Sequence, residues 1–199
     1  MSVNHPEITG IILVGGKSRR MGQDKTFLEI DGISLFDRVL AALRRNFTRI
    51  LLVGDREERF AGYHLPLVPD IYPGSSLSGL YTGLYHAETE YVFVCSCDIP
   101  FPNPDMIGYL CSHLDGHDVV VPVHPYGYEP LFAVYGKMCL GPMRELLEQE
   151  NYCVYDLYPH VNVRYATREE LAPFDRDGRA FVNVNTPDEL TAARKELPQ

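Results

Sequence analysis

Three glycines and four cations crowd the stretch Gly15-Gly16-Lys17-Ser18-Arg19-Arg20-Met21-Gly22-Gln23-Asp24-Lys25. Glycine lets backbone N–H groups come close to phosphate oxygens, and arginine forks can bind those oxygens bidentately. The whole chain carries 27 Asp and Glu against 18 Lys and Arg, a net charge of −9. A local cationic loop on an acidic protein suits a small polyanion and argues against a general DNA- or RNA-binding surface. A solvated basic loop is the plain alternative. Position favours phosphate: residues 8–14 form a β-branched run that leads straight into the glycines, and open α/β sheets bind ligands at the carboxyl ends of their strands. Two familiar phosphate loops are excluded. A P-loop would need a glycine at Ile11, five positions before Gly16-Lys17-Ser18, and no G-x-G-x-x-G follows the run.

Asp98 closes the most apolar run, residues 91–97, where an acid is otherwise unwelcome. A lone strand-end aspartate beside a phosphate loop fits Mg²⁺, which is held by one or two carboxylates plus substrate phosphates. Capping of the turn ahead of Ile99-Pro100 is the structural alternative. Asp70 also ends an apolar stretch; it either caps the turn before Tyr72-Pro73-Gly74 or positions a base or ribose. Asn183 and Asn185 alternate along an expected strand and so share a face, there to bond the next turn or to hold metal-bound water or phosphate oxygens. Gly79 and Gly83 share a helix face, which means close packing on a sheet or proximity to a ligand. No Ser/His/Asp or Cys/His set has informative spacing. Transfer onto an acceptor that is already anionic needs mainly positioning and charge neutralisation.

Apolar residues make up 45% of the 199, enough for a substantial core. The five cysteines lack any C-x-x-C pair, so neither a disulfide framework nor a zinc site is expected. No signal pattern or membrane-length apolar run is present, and a cytoplasmic, membrane-free protein is expected. Apolar runs alternate with helical patterns. Strands are expected at 8–14, 49–53, 67–68, 91–97, 118–123, 131–135, 161–165 and 180–184. Helices are expected from Ser34 to about Asn46 and over 77–87, 104–113 and 140–150, with capping boxes at Thr167 and Thr186, the latter opening the final helix. The alternation predicts one α/β domain over 1–199: a mostly parallel, Rossmann-like sheet covered on both faces, an α/β/α three-layer arrangement.

In order along the chain, four segments resemble the molybdenum cofactor guanylyltransferases, a family within the nucleotidyltransferase superfamily. Leu13-Val14-Gly15-Gly16 with Arg19-Arg20-Met21-Gly22 and Asp24-Lys25 resembles the family loop L-A-G-G-x-S-x-R-M-G-x-D-K. The segment from Ser76 to Leu84 resembles G-P-L-x-G-(x)n-G-L, Cys97-Asp98-Ile99-Pro100-Phe101 resembles C-D-x-P-F, and Phe181-Val182-Asn183-Val184-Asn185-Thr186-Pro187 resembles F-x-N-x-N-T-P. The resemblance implies transfer of GMP from GTP to molybdopterin with release of pyrophosphate. It also implies that Leu13, Val14, Gly15 and Gly16 contact guanine and phosphates, and that Arg19 and Lys25 bind triphosphate. Asp70 and Gly79 would then help hold the nucleoside, Asp98 would ligate Mg²⁺, and Asn183 and Asn185 would lie on the pterin side. Maturation proteins of molybdoenzymes are its implied partners. Val14 replaces the usual alanine, Ser76 replaces a proline, and Val53-Gly54 offers no side chain where some relatives place an asparagine. The paired glycines favour guanine, because the related cytidylyltransferases carry A-A-G and a methyl there would crowd the larger purine. Other readings are a nucleotidyltransferase that uses CTP or loads a sugar phosphate, and a non-catalytic nucleotide-binding module. The pterin contacts are open, with loops 124–129 and 152–155 as candidates.

Overall fold

A computed structural model describes residues 5, 7–15, 25–55, 57–72, 74–124, 127–184 and 186–195. In the first half, β1 (Ile8–Leu13) is followed by a hairpin, β2 (Glu29–Ile30) with β3 (Ile33–Ser34), then α1 (Leu35–Arg44), β4 (Ile50–Val53), the single turn α2 (Glu57–Phe60), β5 (Leu67–Val68) and α3 (Ser76–His86). The second half runs β6 (Tyr91–Ser96), α4 (Pro104–Cys111), β7 (Val119–His124), β8 (Gly127–Tyr128), β9 (Phe132–Gly136), α5 (Leu140–Glu148), β10 (Val163–Ala166), α6 (Arg168–Leu171) and α7 (Pro187–Lys195). The main sheet has the order β10-β7-β9-β6-β1-β4-β5, with β8 added on β7.

Strand alternation explains the layers. Ile8 and Ile12 of β1, Leu52 of β4, and Phe93 and Cys95 of β6 pack with Phe36, Val39 and Leu43 of α1 and with Met106 and Leu110 of α4. Their neighbours Ile11, Leu13, Val53, Val92 and Val94 point the other way, onto Leu77, Leu80 and Leu84 of α3 and Met143 and Leu147 of α5. Helices cover both faces, so the strands carry unbroken apolar runs. Caps fix where the helices start. Ser34 Oγ accepts from Asp37 N, Ser75 from Ser78 N, and Asn103 from Asp105 N and Met106 N. Reciprocal capping boxes open α6 at Thr167 and α7 at Thr186.

β1 pairs in parallel with β4 and β6, as do β4 with β5 and β7 with β10. β9 departs from this: it runs antiparallel to both β6 and β7, bringing the residues just before it to the carboxyl end of β6. The hairpin β2–β3 was not among the expected elements, although Asp31-Gly32, both at positive φ, is a strong two-residue turn signal. One expectation fails. Residues 180–184 do not form a strand. β6, which ends beside Val184, already has β1 on one edge and β9 on the other, so it offers this segment no edge to pair with. The segment is tied by single bonds instead, Val182 N to Arg179 O and Val184 N to Asp98 O. α4 and α5 also end two residues earlier than expected.

The two helical glycines of α3 separate in role. A Cβ on Gly83 would sit 2.9 Å from Ile11 Cγ2 and 3.3 Å from Val53 Cγ2, so this glycine seats the helix on the sheet. Gly83→Ala is expected to destabilise the fold by about 1–3 kcal/mol through overpacking. Chemical denaturation would read this loss, and the KM for nucleotide should stay unchanged. Gly79 faces Leu13 and the carboxylate of Asp70, which belong to the site described next.

Candidate active site

The carboxyl ends of β1, β4, β5 and β6 converge on one edge of the sheet. Leu13 is in register with Val53 on one side and Ser96 on the other. Past Leu13 the chain continues through Val14, whose N–H donates to Val53 O at 2.9 Å, to Gly15. Gly54 packs on Gly15 so closely that a Cβ on Gly54 would lie 2.7 Å from Gly15 N. The Val53-Gly54 departure thus has a structural role, since a side-chain-bearing residue at 54 would displace Gly15. Gly16 and Arg19 lie outside the described residues, as does the side chain of Lys25.

Asp70 follows β5 and fills the space between two of the singled-out glycines. A Cβ on Gly15 would meet its Oδ2 at 3.3 Å, and one on Gly79 would meet its Oδ1 at 3.5 Å. That Oδ1 is buried without a hydrogen-bond partner among the described residues. Burial, with a smaller contribution from the Asp55 charge, pushes the Asp70 carboxyl up to about 6. The next backbone donor, Ile71 N–H, bonds to Thr82 Oγ1 and not to the carboxylate. A buried carboxylate oxygen with no donor is a costly arrangement unless a ligand completes it.

Asp98 sits two residues beyond β6. Ser96 Oγ donates to its Oδ1, and its carbonyl accepts from Val184 N–H at 2.9 Å. That second bond brings Asn183 alongside. Asn185, the other half of the expected pair, lies outside the described residues. Thr26 Oγ1 lies 3.5 Å from Cys97 Sγ, which fixes the chain just after Lys25 against the residue before Asp98.

Sequence reasoning gave Glu129 no role of its own, only a place in the 124–129 loop. Ser96 N–H donates to Leu131 O, and Phe132 N–H to Glu129 O, so the antiparallel β9 starts beside the end of β6. The Glu129 carboxyl is pushed up to about 7, chiefly by burial and then by the Asp98 charge. The Asn183 side chain and the Leu131 backbone donate to it and offset part of that rise. A loop glutamate carries no signal until the strand direction is known.

The oxygens of Asp98, Glu129 and Asn183 form a hard donor set suited to Mg²⁺ or Mn²⁺ rather than zinc. Among the described residues no three His, Cys, Asp or Glu side chains are grouped to cage a metal.

Sheet order, strand-end carboxylates and the glycine-lined turn define a nucleotidyltransferase. The chain matches the model of the MobA-like NTP transferase domain over residues 10–161, and it belongs to that family. It is 39% identical over 189 residues to a probable molybdenum cofactor guanylyltransferase of Pelotomaculum thermopropionicum, covering 94% of this chain and 92% of that protein. It is 35% identical over 193 residues to a molybdenum cofactor guanylyltransferase of Desulfosudis oleivorans, covering 96% of each. The crystal structure of molybdopterin-guanine dinucleotide biosynthesis protein A from Archaeoglobus fulgidus superposes with a TM-score of 0.83 at 28% identity, covering 94% of this chain and 97% of that one. The protein is a transferase, and its family works with a divalent metal.

Proposed function

We propose that this protein transfers GMP from GTP to molybdopterin, releasing pyrophosphate and forming molybdopterin guanine dinucleotide. The observation that carries the reading is the buried Oδ1 of Asp70, without a partner among the described residues and held between Gly15 and Gly79 at the mouth of the sheet. A carboxylate there can accept two donors at once. The N1–H and N2–H edge of guanine offers them side by side, whereas cytosine presents an acceptor at N3. Gly15 supports the same choice, because a methyl at that position would press on Asp70 Oδ2. The relatives named as guanylyltransferases point the same way.

The terminal phosphate of molybdopterin attacks the α-phosphorus of GTP, a P–O bond forms, and the bond to pyrophosphate breaks. Leu13, Val14, Gly15 and Gly16 bring backbone to the nucleotide, and Gly79 leaves room beside Asp70. Arg19 and Lys25 bind the triphosphate and offset charge that develops on the leaving pyrophosphate. Asp98 would hold Mg²⁺, with Glu129 and Asn183 as neighbouring oxygens. Asn185 is assigned with Asn183 to the acceptor side. When bound, the ion neutralises phosphate charge and polarises the α-phosphoryl group. The chain's own task is to line up two anions that repel each other. No helix among the described residues is long and apolar enough to cross a membrane. We place the reaction in the cytoplasm, in one domain spanning the chain, with molybdoenzyme maturation proteins as its recipients and no nucleic acid partner.

Incubation with molybdopterin, Mg²⁺ and each nucleoside triphosphate in turn tests this. GTP is expected to give pyrophosphate with kcat/KM at least about a hundredfold above CTP, since a site built for hydrogen-bond donors rejects a base that lacks them. Equal turnover of CTP would overturn the guanine assignment. GTP binding without pyrophosphate release would overturn catalysis.

A further inference from the structure

Four tyrosines gather at the end of the sheet opposite Asp70. The ring of Tyr128, on β8, has its centroid 5.8 Å from that of Tyr155, 5.7 Å from Tyr158 and 5.1 Å from Tyr165. Tyr158 is explained by the core: it is buried, with its hydroxyl 3.5 Å from that of Tyr135, which donates to Pro130 O. Tyr155 is not. The residue remains 46% exposed, and its hydroxyl donates to the Tyr128 carbonyl at 3.2 Å, which holds the side chain in place without burying it. That bond joins the two loops, 124–129 and 152–155, that were candidates for acceptor contact.

Placement decides what such a ring faces. Asp70, Gly15 and Gly79 take the β1–β4–β5 half of the sheet, and Asp98 closes the middle strand β6. Glu129 and the tyrosines lie on the other half, with β9, β8, β7 and β10. With the base assigned to the first half and the metal-side carboxylate to the middle strand, the second half is the part of the sheet left to the acceptor. Tyr155 is on the site side of the cluster: its hydroxyl bonds to the carbonyl of Tyr128, the residue immediately before Glu129.

We propose that Tyr155, backed by the ring of Tyr128, is a stacking platform for the fused heteroaromatic ring of the acceptor, the pterin. This rests on the guanylyl transfer reading above. An exposed ring fixed by a hydrogen bond to backbone loses little freedom on stacking, and a flat bicycle offers it a full face.

Three variants test the platform: Tyr155→Ala, Tyr155→Phe and, as a control on the far side of the cluster, Tyr165→Ala. The readouts are KM for molybdopterin, KM for GTP, and fluorescence quenching of an oxidised pterin phosphate titrated with protein alone. Tyr155→Ala is expected to raise the acceptor KM and weaken the quench by roughly tenfold, the loss of one stacking ring, with KM for GTP unchanged. Tyr155→Phe should lose less than Tyr155→Ala, about threefold, because the ring remains while its tether to the Tyr128 carbonyl is gone, and Tyr165→Ala should match the parent. An active Tyr155→Ala enzyme with parental acceptor KM and quench overturns the platform and leaves guanylyl transfer standing. A parent that quenches the probe yet transfers no GMP overturns guanylyl transfer and leaves the platform. A parent that does neither overturns both.

Discussion

Asp98→Asn is expected to lower pyrophosphate release from GTP and molybdopterin by roughly a thousandfold, with the melting temperature unchanged. The size follows from the charge problem. Two anionic phosphates must meet, and a metal ion supplies several kcal/mol of stabilisation in such a step, at 1.36 kcal/mol per tenfold in rate. The unchanged fold follows from what Asp98 does locally. Its carbonyl, which accepts from Val184 N–H, is unaffected, and an amide oxygen can still accept from Ser96 Oγ. Binding of Mn²⁺, followed by its paramagnetic signal with nucleotide present, should weaken in the same variant. Near-parental turnover with intact Mn²⁺ binding would remove Asp98 from the metal site.

Asp70→Asn should move stability and function in opposite directions. In the native chain the Asp70 carboxyl holds its proton up to about pH 6, against an ordinary value of 3.8. Between those values the folded state binds more protons than the unfolded one, so stability falls as pH rises through the window. Above pH 6 the whole cost is present. Asp70 is only about half buried, which reduces the cost to about 1 kcal/mol once solvent screening is allowed for. An asparagine carries no such burden, so the variant is expected to melt about 2–4 °C higher at pH 7.5, the shift that 1 kcal/mol gives in a chain of this length. At pH 4 the gap should close. The KM for GTP should rise by about tenfold or more, because an amide cannot accept two donors from guanine as a carboxylate does. In the parent the KM for GTP should climb as pH drops below 6. An Asp70→Asn protein with parental KM and lower stability would contradict both halves.

How much of this was legible in the sequence depended on whether a residue's neighbours in the chain are also its neighbours in space. Asp98 stood out because an acid closes a run of apolar strand residues. Asp70 stood out less, since turn chemistry follows it directly. The glycines at 79 and 83 could be seen to share a face, but only the packed helix shows that Gly83 meets Ile11 and Val53 while Gly79 meets Asp70. Glu129 was hidden, because its partners Asp98 and Asn183 are 31 and 54 positions away and the reversal of β9 that joins them leaves no mark on an apolar run. The failed strand at 180–184 has the same origin. Its residues are strand-like, and β6, which ends beside it, has both edges already taken. The missed hairpin at Asp31-Gly32 differs, since its turn signal was present in the sequence.

The central claim is that one edge of this sheet holds GTP with its base at Asp70 and its divalent ion at Asp98. A crystal grown with a non-hydrolysable GTP analogue and MnCl₂, measured at the manganese absorption edge, tests both ends at once. An anomalous peak is expected beside the Asp98 carboxylate, with the purine edge against Asp70 between Gly15 and Gly79. A manganese peak distant from Asp98, or a purine bound away from Asp70, would contradict it.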